Sequence, residues 1–440
     1  MSAAGDDLAD LEELAAAKPG DIAIALRNMD IDDVWPVLAQ LPAENAALAL
    51  HRLDDDYRAR VMATYRDPVF VKYLLELLDT DEAADLLADL PPPEAEQLLG
   101  NLSRAEEVEA LLSYPPDSAG GIMDTHLLVL QEEDTVTDAV AYLRKNAAEL
   151  QQNHDLWVIN PAGKLAGAVS LTQLLIAAES TPLAQIAVTD LVTVSPEVDQ
   201  EQAAHLVERY DLNQLPVVDE SGSLLGQITS EDAIRVLKRE SAEDMQRMSG
   251  LSAEVGRRDS TLRMVYSRLP WLAVGMGGSV LGALVIMEFE EALQQAAILA
   301  AFIPLIAATA GSAGIQSSTV TVQGLATGVI ADRSHLSRLL REFRVALLNG
   351  LAISALLGVF LLLVSVLATD RIEAGWLLFL TLGTSMIGVI TIATLIGATM
   401  PLLLARLRID PAVSMGPFIT VSADVVGILF YFVIADLIYL

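Results

Sequence analysis

Charge is divided so unevenly along this 440-residue chain that one globular fold cannot accommodate it. The formal net charge is −32, yet residues 263–440 hold 10 Asp+Glu against 9 Arg, with no Lys, and contribute almost none of it. The excess of acid lies before residue 263. An apolar, nearly neutral half of this length reads as a membrane domain, because a helix needs about 20 apolar residues to cross the hydrocarbon layer. An acidic soluble half beside it suits a protein that handles cations.

Five spans follow from hydropathy. Leu269–Met287 is free of charge, and Ala292–Ala331 is free of charge over 40 residues. Within the latter, Ala296–Ala310 is strongly apolar. The stretch Gly311-Ser-Ala-Gly-Ile-Gln-Ser-Ser-Thr-Val-Thr-Val-Gln323 is small and polar, and reads as irregular backbone lining a wet cavity. Val345–Thr369, Gly375–Ala405 and Pro411–Leu440 are the third, fourth and fifth spans. Basic loops fix the orientation. Arg257, Arg258, Arg263 and Arg268 precede the first span; Arg333, Arg338, Arg341 and Arg344 precede the third; Arg406 and Arg408 precede the fifth. The remaining loops carry Glu288, Glu290 and Glu291, or Asp370, Arg371 and Glu373. This pattern puts the acidic half in the cytoplasm and the C-terminus outside, in a multi-pass plasma-membrane protein. The opening residues lack the basic and apolar regions of a secretory signal. Absence of cysteine excludes disulfides, thiolate metal sites and cysteine nucleophiles. The acidic surface excludes nucleic acid as a partner, and the absence of a P-loop argues against ATP-driven pumping or other enzymatic activity.

Asp424 lies inside the fifth span. With a helix starting near Ser414, it falls about 15 Å along the axis, close to the bilayer midplane. A carboxylate there is costly unless it faces water, a cation or a partner, so an ion site is the favoured reading over a structural bond to a neighbouring helix.

The soluble half contains a repeat. Val158-Ile-Asn-Pro-Ala-Gly-Lys-Leu-Ala-Gly-Ala-Val-Ser170 returns 59 residues later as Val217-Val-Asp-Glu-Ser-Gly-Ser-Leu-Leu-Gly-Gln-Ile-Thr229. Each copy reads as strand, turn, strand, then helix. This pattern resembles a pair of CBS domains over residues 118–248, split at about 185. The second copy continues as Thr229-Ser-Glu-Asp232, similar to the motif that holds a nucleotide ribose in many CBS domains; the first has Ser170-Leu-Thr-Gln173. Thr229 and Asp232 are therefore candidate ATP contacts, with a plain helix cap the equal alternative. Residues 1–117 form an acidic helical domain, with apolar residues at helical spacing between Pro-rich stops. Residues 249–267 read as a connecting helix into the membrane domain, residues 268–440.

An acidic helical domain, a CBS pair, a connecting helix and five spans, in this order, resemble the MgtE family of magnesium transporters. Tyr114-Pro-Pro-Asp-Ser-Ala-Gly-Gly-Ile-Met123, Arg268-Leu-Pro-Trp-Leu272, Pro304 with Gly311-Ser-Ala-Gly-Ile-Gln-Ser317, Gly324-Leu-Ala326, Asp410-Pro-Ala412 and Ser422-Ala-Asp-Val-Val-Gly427 carry the resemblance. It implies a homodimer with an Mg²⁺ path between subunits, Asp424 at the central ion site, and Ser312, Gln316 and Ser317 lining the path. It also implies cytoplasmic Mg²⁺ as the gating ligand, with Asp199, Glu201, Asp211, Asp232, Glu240, Glu243 and Asp244 as sensor candidates. Arg235 and Lys238 stand among these acids and can pair with them internally. The chain departs from the family pattern at Ser312 and Gly416, where the family has Asn, and at Gln323, where it has Arg. Fewer amides line the path, which leaves open a looser divalent channel for Co²⁺ or Mn²⁺, or one gated by nucleotide. A non-conducting membrane sensor is the third reading.

Overall fold

The computed structural model describes residues 14–146, 155–251, 261–326, 335–367, 376–407, 409–414 and 416–440. It divides into two compact units, Met1–Glu240 and Ser241–Leu440. Arg257, Arg258, Arg333, Asp370, Arg371, Glu373 and Arg408 lie outside the described residues.

The first unit opens with short helices: α1 (Pro19–Arg27), α2 (Ile31–Leu38), α3 (Ala43–His51), α4 (Asp55–Met62), α5 (Pro68–Leu75), α6 (Thr80–Ala88), α7 (Pro92–Leu99) and α8 (Ala105–Leu112). Their starts are set by local chemistry. Proline occupies the first turn of α1, α5 and α7, where its missing N–H costs nothing. Asp67 caps α5 by accepting from the Val69 and Phe70 amides, and Asp79 with Glu82 forms a capping box on α6.

The repeat follows as β1 (Val129–Gln131), α9 (Val136–Lys145), β2 (Asp155–Ile159), β3 (Leu165–Ser170) and α10 (Leu171–Ile176). Its second copy is α11 (Gln200–Tyr210), β4 (Gln214–Val218), β5 (Leu224–Thr229) and α12 (Ser230–Met248). β2 pairs antiparallel with β3, and β4 with β5. The register irregularity at Val158/Ile159 recurs at Val217/Val218. The hairpin turns place Gly163 and Gly222 at φ 78° and 85°, a region only glycine enters without strain. The copies differ in packing. The first has its own core of Leu128, Val136, Ala139, Leu156, Val158 and Val169. The second shares one continuous core with the helical domain, from Ile22 to Val236.

The second unit holds α13 (Thr261–Glu288), α14 (Glu290–Gln295), α15 (Ile303–Ala326), α16 (His335–Leu367), α17 (Trp376–Arg406) and α18 (Pro417–Ile438). Among the described residues, five segments are long and apolar enough to span a membrane: Met264–Glu288, Ala297–Leu325, Leu336–Val364, Trp376–Arg406 and Phe418–Ile438. α17 is the central helix, packed on α15, α16 and α18. A Cβ added at Gly397 would sit 2.2 Å from the Gly314 carbonyl oxygen, so α15 and α17 touch through their backbones. Gly397→Val should lower the thermal midpoint of the purified protein by several degrees, corresponding to about 1–3 kcal/mol of overpacking. Differential scanning fluorimetry checks this; an unchanged midpoint would mean the two helices do not meet there.

Three expectations are corrected. The polar stretch 311–323 is regular α-helix, not irregular backbone. Its hydroxyls close onto their own helix, Ser312 to the Ala308 carbonyl (2.8 Å), Thr319 to Ile315 (2.9 Å) and Thr321 to Ser317 (2.9 Å), so no donor requires the chain to unwind. The fifth span starts at Pro417 after a 3₁₀ turn, Pro411–Ser414, which places Asp424 only about 10 Å along α18. Finally, α12 stops at Met248, with Gly250 at φ 76°, and α13 spans Thr261–Glu288. The connecting helix expected over 249–267 is therefore broken at its start, and residues 252–260 lie outside the described set.

Candidate functional site

Asp424 occupies the second turn of α18, beside buried Ala423 and facing α15. A Cβ built on Gly311 would lie 3.4 Å from Asp424 Oδ1 and 3.3 Å from Thr420 Cγ2, so the missing side chain at Gly311 keeps the carboxylate clear. Asp424 Oδ1 is buried and has no hydrogen-bond partner among the described residues. An unbonded carboxylate oxygen inside a membrane helix is costly unless a cation, water or another chain serves it. On α15, Ser312 and Gln316 sit one turn apart and are exposed, whereas Ser317 is buried and donates to Glu342 Oε2 of α16 (3.2 Å). The three residues grouped by sequence thus face two ways.

The sensor candidates of the acidic half are dispersed. Asp199 caps α11 by accepting from the Glu201 amide (2.9 Å). Glu201 and Glu208 flank His205, at 3.8 and 3.1 Å. Asp211 ends α11 in the left-handed region, φ 54°. Glu240 accepts from Gln200 Nε2 (2.7 Å). In the second unit, Glu243 pairs with Arg247, which also pairs with Asp410. Burial, followed by the negative charge of Asp410, raises the Asp244 carboxyl above its usual range. Among the described residues, no three His, Asp or Glu side chains are grouped with metal-holding geometry.

Asp232 alone joins a concentration of acid, one that sequence reasoning missed. Asp81, Glu82 and Asp85 on α6, with Asp124 and Asp232, lie between the helical domain and the second repeat. Asp81, Glu82, Asp124 and Asp232 are all less than 9% exposed. Burial raises Asp81 well above the carboxylate range, reinforced by Asp232, Glu82, Asp124 and Asp85. Burial raises Glu82 to about 7, with Asp79 adding to it; it raises Asp85 to about 6 and Asp124 to about 7. Cations of the protein thread the group. Arg235 pairs with Asp232 and reaches Glu82 (3.9 Å), Arg58 pairs with Asp89 (2.6 Å) and Asp55 (3.0 Å), and Arg239 with Asp55 (3.4 Å). Lys238 is exposed. His51, 3.5 Å from Glu82, is held neutral by burial and by the charges of Arg235, Arg58 and Arg52. The missed signal was the Asp81, Glu82, Asp85, Asp89 spacing, which puts acids on consecutive turns of α6 and on the residue that ends it.

Asp232 is also fully engaged. Its Oδ2 accepts from the Thr229 amide (3.1 Å) and Thr229 Oγ1 (2.6 Å), while Thr229 Oγ1 accepts from the Asp232 amide (3.2 Å). Its Oδ1 accepts from Arg235. Ser170 and Gln173 make the same capping box in the first copy.

Five membrane-length helices, an intramembrane carboxylate and a soluble half built from short helices and a CBS pair define a multi-pass membrane protein of the divalent-cation transporter class. Residues 303–434 match the family described as divalent cation transporter, residues 15–117 match the MgtE intracellular N domain, and residues 119–180 and 183–239 match the CBS domain. The magnesium transporter MgtE of Thermus thermophilus is 31% identical over 441 residues, covering 98% of this chain and 96% of that protein. That of Bacillus subtilis is 29% identical over 412 residues, covering 93% and 87%. A crystal structure of the cytosolic domain of the Mg²⁺ channel MgtE in complex with ATP is similar over 53% of this chain and 95% of that one, at 33% identity and a TM-score of 0.49. The chain belongs to the MgtE family of magnesium transporters.

Proposed function

We propose that two copies of this chain form an Mg²⁺ channel in a bacterial plasma membrane, with the acidic half cytoplasmic and the path running past Asp424 and the Ser312–Gln316 face of α15. The observation that carries this reading is the buried, unbonded Asp424 oxygen inside a membrane helix. Mg²⁺ takes oxygen ligands in octahedral geometry and keeps several of its waters. Two Asp424 carboxylates, one per copy, would hold it through those waters without stripping its shell. Exposed Ser312 and Gln316 supply polar atoms one turn apart on α15.

Gating belongs to the buried acids. Carboxylates held together by burial need protons, arginines or metal ions. Mg²⁺ entering among Asp81, Glu82, Asp85, Asp124 and Asp232 would lock the helical domain onto the second repeat and close the path. Arg58, Arg235 and Arg239 already neutralise part of this charge, so fewer ions are needed. Adenine nucleotide binding at Thr229 and Asp232 would require the capping box and the Arg235 pair to open. Calorimetry with ATP in chelator tests it, and an absence of heat leaves capping as the role of these residues.

Proteoliposomes loaded with ion-sensitive dye test the transport reading. Mg²⁺ should enter, Co²⁺ and Mn²⁺ should enter measurably because Ser312 replaces an amide, and Na⁺ should not. Equal Na⁺ flux, or no divalent flux, would remove the proposal.

A further inference from the structure

Glu342 is another carboxylate within a membrane-length helix, eight residues into α16 and inside the Leu336–Val364 segment. It does not stand alone. Glu342 Oε2 accepts from Ser317 Oγ at 3.2 Å, and Arg338 Nη2 donates to Thr321 Oγ1 at 3.0 Å. Ser317 and Thr321 are one turn apart on α15; Arg338 and Glu342 are one turn apart on α16, in the opposite sense. The result is a two-rung ladder between antiparallel helices. Ser317 is 5% and Thr321 0% exposed, so each rung is shielded from solvent on the α15 side. Thr321 spends its own proton on the Ser317 carbonyl (2.9 Å), which leaves its oxygen to receive the guanidinium.

The ladder has a mechanical consequence. α15 and α16 both pack on α17, α15 on α18 as well, and the long Arg338 and Glu342 side chains bridge α16 to α15. Ser317 is about 100° around α15 from Gln316, because each residue of an α-helix advances by that angle. Whatever holds Ser317 and Thr321 also sets which way Ser312 and Gln316 point. Hydrogen bonds shielded from solvent, as both rungs are on the α15 side, resist this rotation.

We propose that Glu342 and Arg338 are positioning residues that fix the rotation of α15 about its axis and so present Ser312 and Gln316 to the ion. This rests on the reading above that α15 lines the path. Mg²⁺ flux in proteoliposomes made with the full chain tests it, using the concentration dependence and the Mg²⁺/Co²⁺ ratio as readouts, neither of which a simple loss of folded protein changes. Glu342→Ala should raise the apparent KM for Mg²⁺ by about three- to tenfold, the worth of one buried hydrogen bond, and lower the Mg²⁺/Co²⁺ ratio. Glu342→Gln, which keeps an acceptor for Ser317, should stay much nearer wild type. Adding Ser317→Ala to Glu342→Ala should cost nothing further. Independent, multiplying effects of the two changes would overturn the proposal. So would a Glu342→Gln variant as impaired as Glu342→Ala, since the charge would then act on the ion itself. If Glu342→Ala does not reconstitute, Thr321→Val with Arg338→Gln repeats the cycle on the second rung. Asp424→Asn run alongside separates the two ideas. Wild-type flux in that variant sinks the path reading, whereas loss of flux there with multiplying effects at Ser317 and Glu342 sinks only the positioning role.

Discussion

Asp424→Asn should reduce Mg²⁺ flux by about 100-fold or more while the protein elutes and melts like wild type. The substitution keeps the size of the side chain and removes its charge. Asp424 Oδ1, with no hydrogen-bond partner among the described residues, contributes nothing to the fold that Asn would lose. A hydrated divalent ion, in contrast, loses a charge-assisted bond from each copy, and about 1.4 kcal/mol per tenfold makes two such bonds worth roughly two orders of magnitude. Fluorescent flux assays and size-exclusion chromatography on the same preparation separate the two outcomes. Flux within twofold of wild type, or a protein that no longer folds, would mean that Asp424 is structural.

The acidic half should exchange protons for Mg²⁺. Glu82 and Asp124 have folded-state values of about 7, raised above those of free carboxyls first by burial. A raised carboxyl stabilises the folded state most fully below its unfolded value, and that contribution is lost as pH rises through the folded one. In chelator, resistance of the full chain to proteolysis within residues 14–248 should therefore fall between pH 6 and 8, by on the order of 1 kcal/mol for each of these two groups. Millimolar Mg²⁺ should restore protection at pH 8 and change little at pH 6, where protons already neutralise the acids. Cleavage that is insensitive to pH, or Mg²⁺ protection that is equal at both values, would count against the buried acids as the sensor.

The architecture was legible because it rests on hydropathy and repetition. A charge-free run such as Ala292–Ala331 has few options besides the membrane, and the 59-residue offset forces two like hairpins, down to Gly163 and Gly222. Boundaries failed where side chains compete with backbone. The hydroxyls of 312–321 read as signs of wet, irregular chain, but those of Ser312, Thr319 and Thr321 donate to their own i−4 carbonyls and the stretch stays helical. Asp424 stood out because an acid well inside an apolar span is anomalous on composition alone, whereas Asp436 lies close to the end of that span. The Asp81–Asp232 cluster did not, because acids are common in the helical domain and only tertiary packing shows which are buried. Glu342 was hidden for a related reason. It follows Arg338 and Arg341, and a run of charge before a span reads as loop until the helix is seen to begin at His335.

The central claim joins these parts: an ion passing Asp424 is metered by acids that bind the same ion in the soluble half. Its most direct test is Mg²⁺ flux through the reconstituted full chain with free Mg²⁺ clamped on the side that carries the acidic half. Flux should be high with chelator there and fall steeply as Mg²⁺ on that side reaches millimolar levels, and Asp81→Asn with Glu82→Gln should blunt the fall. Flux that ignores Mg²⁺ on that side would contradict the account.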